Sequence, residues 1–148
     1  MTSDLQALYR DVIVDHHRQP RNFRTLPGGR KAEGFNPLCG DRLTVYVQIE
    51  HGAIQDVGFQ GLGCAIATAS ASLMTESLKG KSVADASALF DRVARMVTAP
   101  SDEPIDDLGP LSALAGVRRF PVRAKCAMLA WHTMRAALAD GDDVVTTE

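Results

Sequence analysis

Three cysteines and one neighbouring aspartate are the residues of this chain best suited to carry chemistry. Cys39 lies in the turn-rich segment NPLCGD, and Asp41 follows it by two residues. Cys64 lies in GLGCA, and Cys126 lies in RAKC. Thiolates bind metal ions and attack sulfur, and three thiolates with one carboxylate complete a tetrahedral zinc site. Asp41 is the best fourth ligand because the Cys-Gly-Asp sequence holds it beside Cys39 at little cost in chain entropy.

The spacing of the cysteines does not by itself select a metal site. The chain has no Cys-x-x-Cys pair, and an odd number of cysteines leaves one thiol outside any closed disulfide framework. In a reducing compartment such thiols are metal ligands, nucleophiles or buried bystanders. Cys64 and Cys126 also fit the last class, as small apolar residues of a core. The residues alone leave these interpretations open.

A predicted β-hairpin brings two of the cysteines to defined positions. Apolar residues alternate with polar ones from Leu43 to Ile49, which is typical of a half-buried strand. A turn at His51-Gly52 leads to a second strand over residues 53–60. Cys39 then precedes the first strand, and Cys64 lies where the second strand ends and a helix begins. We expect a third strand around Gly34 and Phe35, because two strands do not form a stable sheet alone.

The remainder of the sequence predicts helices. The first ends before Pro20, the second follows Cys64 and ends at Gly80, and the third covers residues 83–98 behind a Ser82 cap. A short helix over 111–117 and a long one from Pro121 to about residue 140 complete the chain, with Cys126 in the first turn of the long helix. The predicted fold class is α+β, a small three-stranded antiparallel sheet with helices packed on one face. Residues 1–148 form a single domain, and the acidic residues 140–148 a flexible tail.

Bulk composition excludes several classes of function. The net charge of −2 gives no basic excess for nucleic acid, and no apolar run reaches the roughly 20 residues of a membrane span. The first residues lack the pattern of a secretory signal, so the expected compartment is the cytoplasm. His16 and His17 are adjacent on a helix and point in different directions. We interpret them as a solvated helix end or a partner surface, and not as metal ligands.

Three motifs together resemble one known family. They are NPLCGD at 36–41, GLGCAIATASAS at 61–72 and RAKC at 123–126. As a set they resemble the U-type iron–sulfur cluster assembly family (IscU/NifU N-terminal-like), and most closely its SufU branch, over the chain from the first helix to about residue 140. The family fold is the α+β arrangement predicted above.

The resemblance implies specific roles for the site residues. It assigns Cys39, Asp41, Cys64 and Cys126 as the ligands of one Zn²⁺ ion. It makes Cys39 the acceptor of persulfide sulfur from a SufS-type, pyridoxal-phosphate-dependent cysteine desulfurase, so the chain would be a sulfurtransferase. Arg123 would anchor that partner, and downstream iron–sulfur assembly proteins would receive the sulfur.

The alternative within the same family is a scaffold that holds an iron–sulfur cluster on the same ligands. IscU-type scaffolds carry a histidine immediately before the last cysteine, where this chain has Lys125. Residues 82–116 are long enough to contain the insertion typical of SufU-like chains. The chaperone-binding motif of IscU-type scaffolds is present only as the fragment FPVR at 120–123. These three features favour the sulfur acceptor over the scaffold.

Overall fold

The computed structural model describes residues 3–139 and 144–146. The elements in chain order are α1 (Ser3–Arg18), β1 (Arg30–Asn36), β2 (Asp41–Glu50), β3 (Ala53–Leu62), α2 (Ala65–Leu78), α3 (Val83–Thr98), a 3₁₀ helix (Gly109–Arg119), α4 (Pro121–Leu138) and β4 (Val145–Thr146). The predicted helices and strands are therefore present, and the short helix expected at 111–117 is the 3₁₀ helix. No helix of the described residues is long and apolar enough to cross a membrane.

The sheet has the strand order β3-β2-β1-β4. β2 pairs antiparallel with both β1 and β3, which confirms the three-stranded antiparallel sheet. The two-residue β4 is a fourth strand, which was not expected, and it pairs parallel with β1, Gly34 with Val145 and Phe35 with Thr146. β4 belongs to the segment predicted as a flexible tail, and residues 140–143 and 147–148 of that segment lie outside the described residues.

One face of the sheet carries the hydrophobic core. Leu43, Val45 and Val47 of β2 are buried, whereas the alternating residues between them are partly exposed. α4 covers β1 and β2, and α2 packs against β3 and α4. Trp131 of α4 is fully buried between these layers. The fold class predicted from the sequence, helices on one face of a small antiparallel sheet, is thereby confirmed.

Contacts along β1 fix the position of α4. At one end, the guanidinium of Arg30 donates a 2.7 Å hydrogen bond to the carbonyl of Leu138. In the middle, Thr133 Oγ1 and Leu129 Cδ1 occupy the space where a side chain at Gly34 would lie. At the other end, the amide of Asn36 contacts the sulfur of Cys126. α4 therefore runs antiparallel to β1 and lies directly on its backbone.

His16 departs from the expectation of a solvated helix end. Its ring is buried, and Nδ1 lies 2.7 Å from the hydroxyl of Ser72 on α2. The same hydroxyl accepts a 2.8 Å hydrogen bond from the backbone N–H of Arg21. Because Ser72 is itself buried, these bonds satisfy polar groups that would otherwise be costly to remove from water. His17, its neighbour, is exposed.

The close contact at Gly34 predicts a stability effect. Replacing Gly34 with alanine places a methyl group against Thr133 and Leu129, so we expect a loss of about 1–3 kcal/mol in the free energy of unfolding. Thr133→Ala removes the nearest obstacle and should recover part of that loss in a double-mutant cycle. Urea denaturation measures both effects.

Gly116→Ala is the matched control. A side chain at Gly116 meets no atom within 4 Å, so its substitution should change stability by a few tenths of a kcal/mol at most. Equal destabilisation by the two glycine substitutions would contradict the packing described for α4.

Candidate metal centre

The turn between β1 and β2 presents Cys39 to solvent. The backbone carbonyl of Asn36 accepts hydrogen bonds from the N–H groups of Cys39 at 3.3 Å and Gly40 at 2.8 Å. Gly40 has φ of 72°, a conformation that residues with a side chain rarely adopt. Cys39 is exposed, and its Sγ lies 3.0 Å from Sγ of Cys126. This separation is longer than a disulfide bond of about 2.05 Å, so both thiols are free.

Asp41 is the first residue of β2 and is buried, with 2% of its surface exposed. Its Oδ1 accepts a 2.8 Å hydrogen bond from the backbone N–H of Cys64. Its Oδ2 lies 3.6 Å from Sγ of Cys64. One carboxylate oxygen is therefore fixed by the backbone, and the other faces the thiols.

Cys64 is the N-cap residue of α2, as its predicted place between strand and helix suggests. Its Sγ accepts a 3.4 Å hydrogen bond from the N–H of Ala67. The end of β3, which precedes Cys64, requires glycine at position 61. There φ is 141°, and a side chain would collide with the carbonyl of Arg42. Because Arg42 follows Asp41 directly, this close approach brings the end of β3 beside the start of β2.

α4 begins at Pro121, as predicted, and Cys126 lies in its second turn. The expected place in the first turn is wrong, because the distance from Pro121 to Cys126 exceeds one turn of about 3.6 residues. Only 1% of the surface of Cys126 is exposed. Burial raises the pKa of the Cys126 thiol strongly, and the neighbouring Cys39, Cys64 and Asp41 raise that pKa further.

A polar contact joins the helices that carry Cys64 and Cys126. The hydroxyl of Ser70 on α2 donates a 2.6 Å hydrogen bond to the carbonyl of Ala127, the residue after Cys126. It also accepts a 3.1 Å bond from the indole N–H of Trp131. All three residues are buried, so the two helices are held at a fixed separation beneath the site.

Three of the four residues assigned by resemblance form one compact group. The ligand atoms of Cys39, Asp41 and Cys126 all lie within 4.8 Å of one another. Cys64 lies outside this group but contacts it through Asp41. Two atoms that bind the same zinc ion at 2.0–2.3 Å are about 3.3–3.8 Å apart, so small side-chain shifts bring the group to ligand distances. Sulfur and carboxylate donors suit zinc, and a cation reverses the repulsion that raises the pKa of Cys126.

Arg123 lies in the first turn of α4, three residues before Cys126. Its guanidinium stacks over the ring of Phe120 at 4.7 Å from the ring centroid, and its side chain lines a groove of about 860 Å³. Residues 101–107, α1 and the end of the 3₁₀ helix form the other walls. Lys125, the residue before Cys126, is half-buried.

Asn36 belongs to the site but was not singled out from the sequence. Its side chain is fully buried, and its amide Nδ2 lies 3.5 Å from Sγ of Cys126. The sequence NPLCG identified it only as a turn residue. Its place opposite Asp41 in the β1–β2 pairing is the signal that could have shown it facing the site.

Comparisons with known proteins identify relatives of this chain. Residues 8–143 match the family model of the NifU-like N-terminal domain. The chain is 37% identical to the zinc-dependent sulfurtransferase SufU of Bacillus subtilis, over 93% of each chain. It is 39% identical to the iron–sulfur cluster assembly scaffold protein IscU of Streptococcus pyogenes serotype M1, over 92% of this chain and 86% of that one.

A solved structure shows the same fold. The iron–sulfur cluster assembly scaffold protein for the SUF system from Fervidobacterium islandicum AW-1 is 31% identical and superposes with a TM-score of 0.80, over 93% of this chain and 99% of that one. These matches extend over nearly the whole chain and include the segments that carry the three cysteines. The chain belongs to the NifU-like N-terminal domain family of iron–sulfur cluster assembly proteins.

Proposed function

We propose that this protein is a zinc-dependent sulfurtransferase that accepts persulfide sulfur from a SufS-type cysteine desulfurase for iron–sulfur cluster assembly. The observation that carries the proposal is the position of Cys39, an exposed thiol in direct contact with a buried thiol and close to a buried carboxylate. The similarity of this chain to the B. subtilis zinc-dependent sulfurtransferase supports the same activity.

Cys39, Asp41, Cys64 and Cys126 are the proposed zinc ligands. When bound, zinc keeps these thiols deprotonated at neutral pH and limits their stray oxidation. The protein supplies a fixed frame for three of the donors, because Asp41 and Cys64 are tied by the 2.8 Å backbone hydrogen bond and Cys126 is buried in α4. Cys39 lies in an exposed turn and is the donor free to move toward a partner.

Sulfur transfer at Cys39 is a thiolate exchange. The Cys39 thiolate attacks the outer sulfur of the persulfide on the desulfurase cysteine. A new S–S bond forms on Cys39, the S–S bond of the donor breaks, and the desulfurase cysteine leaves as a thiolate. No electrons are gained or lost overall, and the persulfide proton stays with the transferred sulfur. Downstream iron–sulfur assembly proteins then receive that sulfur.

Arg123 is the proposed anchor for the desulfurase. It is exposed in the first turn of α4, and Phe120 holds its guanidinium by stacking. A pre-oriented guanidinium forms bidentate hydrogen bonds to a carboxylate at reduced entropic cost. The cytoplasm is the proposed compartment, since the transfer needs reduced thiols.

A scaffold for an iron–sulfur cluster is the second candidate. The 39% identity to a protein named as a scaffold favours it, and iron accepts the same thiolate and carboxylate donors. Anaerobic reconstitution with iron and sulfide tests it. A stable cluster absorption spectrum, together with no stimulation of the desulfurase by the zinc-loaded protein, would favour the scaffold.

The acceptor role predicts the behaviour of Cys39→Ser. Turnover of a SufS-type desulfurase under reducing conditions should rise strongly with the wild-type protein and stay at its basal rate with the variant. Because Cys39 is exposed in a surface turn, the thermal stability of the zinc-free variant should stay close to that of the zinc-free wild type.

Mass spectrometry of the protein after its reaction with the desulfurase shows which cysteine carries the transferred sulfur. A gain of one sulfur atom on the peptide that contains Cys39 is the expected result. Undiminished stimulation by Cys39→Ser, or labelling of another cysteine in the wild type, would show that the acceptor is misassigned.

Removal of zinc separates a functional from a purely structural site. A chelator should lower the melting temperature, since zinc binds the folded state preferentially, and should abolish stimulation of the desulfurase. The far-UV circular dichroism should nevertheless remain that of a folded α+β protein, because the hydrophobic cluster of the core is built from side chains other than the four proposed ligands. Unfolding on chelation, with the desulfurase indifferent to zinc loading, would establish a structural site instead.

Arg123→Ala should weaken docking without affecting the thiol chemistry. We expect the concentration of this protein that half-saturates the desulfurase to rise roughly ten-fold, equivalent to about 1.4 kcal/mol of binding free energy. The maximal rate at saturation should be preserved. Arg95→Ala, an exposed arginine in the last turn of α3, is the matched control and should leave both quantities unchanged. A lowered maximal rate with unchanged half-saturation would contradict an anchoring role.

A further inference from the structure

We infer that Asn36 is a positioning residue of the metal centre. Its side chain links the turn that carries Cys39 to the sulfur of Cys126, and its hydrogen bond tunes that sulfur as a metal ligand. The inference rests on the metal site of the proposed function but not on its sulfur-transfer chemistry. Asn36 is the last residue of β1 and is fully buried. A buried amide is costly unless its donors and acceptors find partners.

Three polar groups of Asn36 have partners at the site. Its carbonyl Oδ1 accepts a 3.1 Å hydrogen bond from the backbone N–H of Leu38. Its backbone carbonyl accepts from the N–H groups of Cys39 and Gly40. Its amide Nδ2 points at Cys126 and lies 3.5 Å from Sγ.

The orientation of the amide follows from these partners. The N–H of Leu38 is a donor only, so the side-chain atom that faces it must be the oxygen. The NH₂ group therefore faces Cys126, whose sulfur is a weak acceptor as a thiol and a strong one as a thiolate. The hydrogen bond to sulfur is thus strongest when Cys126 is ionised, which is the form that binds a metal ion.

The same contact gives the two touching thiols different surroundings. Cys126 is buried and accepts the hydrogen bond from the amide of Asn36. Cys39 is exposed and lies in the turn that is closed by hydrogen bonds to the carbonyl of Asn36. A hydrogen bond to a ligating thiolate withdraws electron density from sulfur and fixes its direction, as outer partners of metal ligands do. Asn36 thereby holds Cys126 as a permanent ligand while leaving Cys39 free to exchange.

Two substitutions separate the roles of Asn36 in the turn and at the sulfur. Asn36→Ser keeps an oxygen that can accept from the N–H of Leu38 two residues on, but its side chain is too short to reach Cys126. Asn36→Ala removes both contacts. We expect Asn36→Ser to retain most of the stability of the metal-free protein, and Asn36→Ala to lose more.

The readout is the absorption spectrum of the protein loaded with Co²⁺ alone, together with the rate at which a chelator removes Zn²⁺. Loss of the hydrogen bond to sulfur should shift the sulfur-to-cobalt charge-transfer band to longer wavelength in both variants. Metal affinity should fall roughly 10-fold or more in both, as it does when outer partners of metal ligands are removed. A role confined to the turn would instead be rescued by Asn36→Ser.

Asn22→Ser is the matched control. Asn22 also uses its amide for a side-chain hydrogen bond, 2.9 Å to the hydroxyl of Thr75, remote from the cysteines. This control should lower stability without changing the cobalt spectrum. A wild-type spectrum and wild-type zinc retention in Asn36→Ser would overturn the inference and leave the proposed function intact. Failure of the wild-type protein to take up either metal would overturn the proposed function itself.

Discussion

The close packing of α4 on the backbone of β1 is the constraint on which the site depends. It is possible because the residues of β1 that face the helix are small or polar, Ala32, Gly34 and Asn36. Thr133 and Leu129 fill the space above Gly34, and this contact sets the height of the helix above the sheet. Cys126 lies two helical turns before Thr133 and is therefore placed against the end of β1. The turn between β1 and β2, which carries Cys39, follows at that end. A larger side chain in the middle of β1 would lift the helix and separate the two thiols.

This packing also explains which parts of the fold the sequence could predict. The boundaries of α3 are recoverable because Ser82 caps it, with the N–H of Asp85 3.0 Å from the Ser82 hydroxyl. β2 is recoverable because its buried positions are large and apolar, which gives a clear alternation. β1 has the same alternation of burial but small or polar residues at its inward positions, so its hydrophobic pattern is weak. β4 consists of only Val145 and Thr146, within an acidic segment. A strand of two residues is too short to produce a periodic hydrophobic pattern.

The candidate site was predictable in its chemistry and less so in its geometry. Thiols at loop-to-element junctions were compatible with metal ligands, nucleophiles and buried bystanders, and only the resemblance supplied a metal-ligand set. Cys126 was placed one turn too early, since it lies more than one turn of about 3.6 residues after the predicted start at Pro121. It still reaches the site because the side chains of a helix point toward its N-terminus. Local sequence could not reveal Asn36 or His16, because the partners that bury them, Cys126 and Ser72, are distant in the chain.

The position of Cys64 couples the chemistry of the site to the backbone of α2. Most helices begin with an oxygen-bearing cap, but here a sulfur accepts the hydrogen bond from the third residue of the helix. Whatever changes the charge or the direction of this sulfur also changes how well the first helical turn is closed. The amide of Ala67 therefore lies where local opening of the helix would report on the state of the thiols. The rate of hydrogen exchange at this amide therefore reports the state of the Cys64 sulfur, without any probe attached to the cysteines.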